Sequence, residues 1–141
     1  MPSLTRWYIK SALAYLLAAL LLGLVLALPI QVNLPDIVRA MSPTYFHLFL
    51  VGWVTQMIFG VIYWMFPIIT RAQPRGDERL AWATYFFLNV GLLLRVVVEP
   101  LNQANPQSFV GWLLPVSALL QWFAAVFFVI QSWPRVKDRY R

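Results

Sequence analysis

The sequence predicts an all-α integral membrane protein, a four-helix bundle formed as one domain over residues 1–141, with both termini in the cytoplasm. Three observations predict it. First, 61% of the residues are hydrophobic and only 11% are charged, where soluble domains carry about 45–50% apolar and roughly 25% charged residues. Second, four stretches reach the ~20 mostly apolar residues that a spanning helix requires. Third, Lys and Arg collect at the boundaries of those stretches.

The first span is expected over residues 7–28, ending at Pro29. Arg6 and Lys10 ahead of an apolar run have the charge order of a secretory signal. The run is longer than the ~7–15 residues of a signal core, and Leu26-Ala27-Leu28-Pro29 is a poor cleavage site, so a retained helix is expected. In the loop from Pro29 to Pro43, Asp36 to Met41 is expected to form a short interfacial helix with Pro35 at its first turn. Ser42-Pro43 has the pattern of a helix start, and the second span is expected over 44–69. The third is expected over 80–98, stopping before Pro100. The fourth is expected over 109–132, kinked at Pro115 and stopping before Pro134.

Orientation follows from the basic residues. Nine of the 11 lie on one side: Arg6 and Lys10, then Arg71, Arg75 and Arg79 in the loop after the second span, then Arg135, Lys137, Arg139 and Arg141. Only Arg39 and Arg95 lie toward the other side. The positive-inside rule places the nine in the cytoplasm, with Trp7, Tyr8, Trp82, Tyr85, Trp133 and Tyr140 as an aromatic belt at that interface. The net charge of +6 is thereby assigned to membrane boundaries and not to nucleic acid. The run Arg135 to Arg141 reads as an anchor touching anionic membrane lipid.

The composition also narrows the chemistry. With no Cys there is no disulfide, thiolate nucleophile, iron–sulfur cluster or Cys-bound zinc within the chain. One His and five carboxylates leave little material for hydrolysis, and no phosphate-binding glycine motif occurs.

The second span has two unlike faces. At about 100° per residue, Val51, Val54, Ile58, Val61 and Met65 fall within about 40° of His47, an apolar stripe around one imidazole. The opposite stripe carries Gly52, Gln56, Gly60, Tyr63 and Pro67 and suits close packing inside the bundle. The His47 stripe is therefore expected to face a cofactor, another subunit or both. His47 and Arg95 each lie one turn inside the outer end of a span, so they share a depth. Glu99, four residues from Arg95, is its natural partner. An ionisable side chain at this depth is a functional candidate by default, and imidazole is a common haem-iron ligand. The plainer readings are a neutral imidazole bonded to backbone or interfacial water and a snorkelling, Glu99-paired arginine. Gln56, Asn89 and Gln121 read as interhelical hydrogen-bonding residues.

The stretch Tyr45-Phe46-His47-Leu48, continuing through Gly60 to Tyr63-Trp64-Met65-Phe66-Pro67, resembles a helix of the catalytic subunit of haem–copper oxidases and nitric oxide reductases. That helix carries an H-x-H pair, then glycines, then an aromatic cluster and Pro. His47 matches the second His of the pair, which in the family ligates the low-spin haem. Tyr45 stands at the first position, which ligates the high-spin haem. The match is concentrated in about 25 residues of the second span. The four-helix chain is also similar to one of the three four-helix arcs of that subunit and to small oxidase-subunit-like proteins of bacteria and archaea.

The resemblance implies a haem b-binding cytochrome of the bacterial or archaeal cytoplasmic membrane, serving electron transfer with a redox partner protein or a quinone. It does not imply an enzyme acting alone, because no copper site and no active-site His-Tyr pair can be built. His47 is the expected axial ligand to the haem iron. Arg95, Arg39 and Tyr45 are expected toward the propionates, and Val51, Val54 and Ile58 against the macrocycle. Two axial imidazoles need two chains, so a homo-oligomer is expected: a dimer sharing one haem across an isologous interface, with a trimer around three His47 side chains as the competing geometry. The alternative is a cofactor-free small structural subunit of a larger respiratory or photosynthetic complex. A small carrier or channel is a third reading, for which Gln56, Asn89 and Gln121 make a thin pore lining.

Overall fold

The protein was described from a computed structural model, which covers residues 1–29, 33–106 and 109–136. Among these residues all regular structure is helical, and four helices are long and apolar enough to cross a membrane. They are α1 (Ser3–Leu26), α3 (Ser42–Met65), α4 (Glu78–Ala104) and α5, whose α-helical body Leu113–Ser132 is flanked by 3₁₀ turns so that the whole rod covers Phe109–Arg135. A short α2 (Asp36–Arg39) lies against α4 in the connection between α1 and α3. The chain runs up and down, so Ser3, Met65, Glu78 and Arg135 share one end, here the terminal end. Leu26, Ser42, Ala104 and Phe109 share the far end.

Two helical hairpins make the bundle: α1 against α3, and α4 against α5. In the first, glycine on one helix receives tyrosine from the other at three levels. A Cβ on Gly23 would lie 2.9 Å from the Tyr45 ring, one on Gly52 2.8 Å from Tyr15, and one on Gly60 2.7 Å from Tyr8. Small residues thus admit a close approach that dispersion can reward. In the second hairpin, a Cβ on Gly91 would meet the Ser117 carbonyl at 3.1 Å, and the Ser117 hydroxyl donates to the Gly91 carbonyl at 2.7 Å. The hairpins join through a core of Leu4, Tyr8, Phe59, Tyr63, Ala81, Tyr85, Leu88 and Ala124 near the terminal end. Phe59 and Phe128 stack there at 3.7 Å. Polar bonds add to the join: Ser11 with Tyr85 at 2.6 Å, and Tyr15 donating to Asn89 at 2.9 Å. Leu17, Leu21, Leu24, Leu93, Leu119 and Trp122 are exposed, as a lipid-facing surface would be.

Several sequence expectations need correction. α1 starts at Ser3, with Pro2 before it, and not at residue 7. α3 stops at Met65 instead of residue 69, because Phe66 precedes Pro67 and turns extended at ψ 149°. α4 continues through Pro100 to Ala104. The lost Pro100 N–H costs one backbone bond, and the final turn is still held by Asn105 N–H donating to the Leu101 carbonyl at 3.0 Å. Pro115 lies in the first turn of the α5 body, at the junction with the 3₁₀ turn Phe109–Trp112. A helix start accommodates proline, so this position differs from the expected mid-span kink.

The largest local difference is in α3. Leu48–Thr55 is π-helix between α-helical Ser42–His47 and Gln56–Met65. The Thr55 hydroxyl donates to the Leu50 carbonyl five residues back, at 2.9 Å. The wider i→i+5 turn resets the helical phase. Thr44, Leu48, Gly52, Gln56 and Gly60 are all buried, at a strict spacing of four, whereas a 3.6-residue period would rotate that series steadily off the face.

Candidate functional site

The far end gathers one imidazole, one carboxylate and one guanidinium across α3 and α4. Ser42-Pro43 starts α3, and this places the Pro43 carbonyl one turn below His47. The His47 Nδ1 lies 2.9 Å from that carbonyl and 3.2 Å from the Glu99 Oε2. A carbonyl only accepts, so Nδ1 carries the proton and donates to the Pro43 carbonyl, while the Glu99 carboxylate lies within ion-pair distance of the same nitrogen. The other ring nitrogen, Nε2, has no donor or acceptor partner among the described residues.

Glu99 links the two helices. It is 9% exposed, and its Oε2 also accepts from the Thr44 hydroxyl at 3.4 Å, a long bond. Its Oε1 lies 3.7 Å from Arg95 Nε, an ion-pair distance that leaves Nε without a hydrogen bond. The Arg95–Glu99 pairing is the one that their spacing predicts. The Glu99–His47 and Glu99–Thr44 contacts had no sequence signal, since they depend on the register of α4 against α3. The cluster therefore holds a carboxylate, an arginine and a half-buried imidazole, on a helix where Phe46 and Leu50 are exposed.

The remaining expected residues are distributed differently. Arg39 is exposed on α2. Tyr45 packs on Gly23 of α1 and stacks with Phe49 at 6.1 Å, lining a groove of about 580 Å³ with Leu20, Leu24 and Phe46. Val51 is half-buried and packs against the core, Val54 is half-buried, and Ile58 is exposed. The three thus differ in exposure, and the π-helical turns between His47 and Ile58 shift the angular positions that a 3.6-residue wheel assigns. Of the intramembrane amides, Asn89 does bond between helices, accepting from Tyr15. Gln121 donates within α5 to Ser117 at 3.3 Å. Gln56 is fully buried, and neither amide atom has a partner among the described residues, contrary to the expected interhelical bond. No group of three or more His, Cys, Asp or Glu side chains able to hold a free metal ion occurs among the described residues.

The terminal end carries a second polar centre, at Arg135. This residue was expected to belong to an anchor touching anionic lipid, but it is 1% exposed. Its Nε donates to the Pro67 carbonyl at 3.0 Å, and its Nη2 donates to the carbonyls of Tyr63 at 3.1 Å and Phe66 at 2.7 Å. These carbonyls lose helical donors because Pro67 ends α3. A cation is also favoured at a helix C-terminus by the helix dipole. The rest of the expected anchor, Lys137 to Arg141, lies outside the described residues.

Comparison with known proteins finds no matching family model, no similar curated protein and no similar solved structure.

Proposed function

We propose that this chain is an integral protein of the bacterial or archaeal cytoplasmic membrane, with both termini inside, that binds haem b through His47 across a homo-oligomer interface and serves electron transfer. The observation that carries the proposal is the setting of the imidazole: Nδ1 donates to the Pro43 carbonyl with the Glu99 carboxylate 3.2 Å away, and Nε2, on a half-exposed residue, has no partner among the described residues. Metal-bound histidine characteristically donates its other ring N–H to a carbonyl or carboxylate, which fixes the tautomer and orientation and raises the basicity of the ligating nitrogen. The donor set thus fits an axial ligand to haem iron.

Haem, when bound, supplies the one-electron ferric/ferrous couple. The chain supplies the field. Glu99 draws positive charge onto the imidazole and so favours the ferric state, while Arg95 offsets the carboxylate and offers donors to an anionic propionate. Exposed Phe46 and Leu50 flank His47 with apolar surface for a second copy of the chain. A dimer gives one haem its two imidazoles. The similarity of α3 to the oxidase helix, noted from its residues, supports the same reading.

A second reading is favoured by the closure of the cluster itself. Glu99 joins His47 and Thr44 of α3 to Arg95 of α4, and such a clamp suits a small structural subunit of a larger membrane complex. His47→Ala separates the two. Expressed with ample haem, the variant is expected to insert and to lose the low-spin haem spectrum of the wild type. A colourless wild type would favour the structural subunit, and a variant that keeps a bis-His spectrum would overturn the His47 assignment.

A further inference from the structure

We infer that the terminal end holds a binding site for a phosphate group, built on Arg75 and Arg135. Both guanidinium groups lie against one tyrosine: the Arg75 Cζ is 6.0 Å and the Arg135 Cζ 5.9 Å from the centre of the Tyr63 ring. Neither has a carboxylate within ion-pair distance among the described residues. Glu78 faces Tyr63 from the start of α4 but pairs with neither arginine.

The hydrogen-bond inventory of the two side chains is incomplete in a specific way. Arg135 spends Nε and Nη2 on the end of α3, while its Nη1, with two N–H groups, is buried and unpartnered. Arg75 Nε is likewise buried and unpartnered. A buried cation with unmet donors is costly, and an anion meets both deficits at once. A cavity of about 210 Å³, lined by Phe66, Pro67, Arg135 and Val136, opens beside the buried guanidinium.

The position of Arg75 is built rather than incidental. The loop from α3 to α4 is tied down by Ile69 N–H donating to the Pro74 carbonyl at 3.0 Å and by Gly76 at φ 79°, a conformation open to glycine. The Gln131 side-chain amide of α5 then donates to the carbonyls of Arg75 at 3.2 Å and Asp77 at 3.3 Å. This fixes Arg75 to the helix whose end carries Arg135. In a membrane the site lies at the depth of lipid headgroups, where basic pockets between spans take anionic lipid. The headgroup phosphate of an anionic lipid and a free phosphate share the chemistry that the site recognises.

The test uses the full chain, delipidated in neutral detergent and titrated separately with phosphatidylglycerol, phosphatidylcholine and inorganic phosphate, with bound ligand counted by native mass spectrometry. The expected result is one tightly held phosphatidylglycerol per chain, at least tenfold preferred over phosphatidylcholine. Arg75→Gln is expected to weaken it at least tenfold, and Arg75→Lys, which keeps the charge without the planar fork, to weaken it less. Saturable inorganic phosphate binding without lipid preference would support the anion site and assign it to free phosphate. Equal retention of the two lipids with no phosphate binding, or undiminished binding by both Arg75 variants, would overturn it.

Discussion

The two ends of the bundle each bury an arginine-containing polar centre, and they treat it in opposite ways. At the far end, Glu99 is the hub: it accepts from Thr44, lies 3.2 Å from His47 Nδ1 and pairs with Arg95, so charges of both signs are present. At the terminal end, no carboxylate of the described residues lies within ion-pair distance of Arg135, which bonds instead to the carbonyls of Tyr63, Phe66 and Pro67. The first arrangement balances charge and leaves one imidazole nitrogen unspent. The second uses charge to close a helix end that proline has opened. The lesson is that a buried charge in this fold is explained by what its partner lacks. Carbonyls without donors recruit Arg135, whereas a carboxylate with several donors polarises His47.

The largest expected effect that sharpens this contrast is at Arg135. Arg135→Met should cost about 3 kcal/mol or more, because hydrogen bonds to a charged donor are each worth roughly 1.5–3 kcal/mol and three carbonyls lose theirs. Unfolding in detergent measures it. A loss below about 1 kcal/mol would mean that water replaces the guanidinium, and the distinction between the two ends would fail.

Glu99→Gln tests the far end. The amide keeps the size of the side chain but removes the charge 3.2 Å from Nδ1. Loss of an outer partner of a metal-bound histidine costs about 10-fold or more in affinity. Haem titration should show that weakening, and redox titration of the remaining haem should show a higher midpoint potential, because the imidazole donates less to the ferric iron. An unchanged affinity together with an unchanged potential would make Glu99 a clamp between α3 and α4 and nothing more.

The smallest effect belongs between the two ends. Tyr15→Phe removes the 2.9 Å bond to Asn89 while the ring stays on Gly52. Interhelical bonds of this kind average about 0.6 kcal/mol in a membrane protein. The same unfolding assay should register a change of that order. A loss comparable to that of Arg135→Met would show that the middle of the bundle, and not its two ends, carries the decisive polar contacts.

Much of the architecture was legible in the sequence because the spans are long apolar runs bounded by Arg, Lys and Pro. Most of the glycine stripe of α3 was also legible: Gly52, Gln56, Gly60 and Tyr63 are buried, whereas Pro67 is exposed beyond the end of the helix. What a uniform helical wheel misses is the π-helical segment, which redistributes Val51, Val54 and Ile58 relative to His47. The strict four-residue spacing from Thr44 to Gly60 carried that information, since 3.6-residue turns cannot keep five such positions on one face. The site was half legible. His47 and Arg95 stand out as ionisable residues one turn inside the expected outer ends of their spans, with Glu99 four residues after Arg95, but only tertiary register brings Glu99 to His47. Arg135 was misread because a basic run after a span is ordinarily solvated. The available signal was Pro67, which leaves carbonyls at the end of α3 that some donor must meet.

The most direct test of the central claim is a reduced-minus-oxidised visible spectrum of the purified chain, with haem per chain counted by pyridine haemochrome. Two His47 side chains sharing one haem predict a low-spin b-type spectrum at about half a haem per chain, as two-fold symmetry requires. A colourless protein after expression with ample haem would contradict the claim outright, and one low-spin haem per chain would contradict the shared His47 pair.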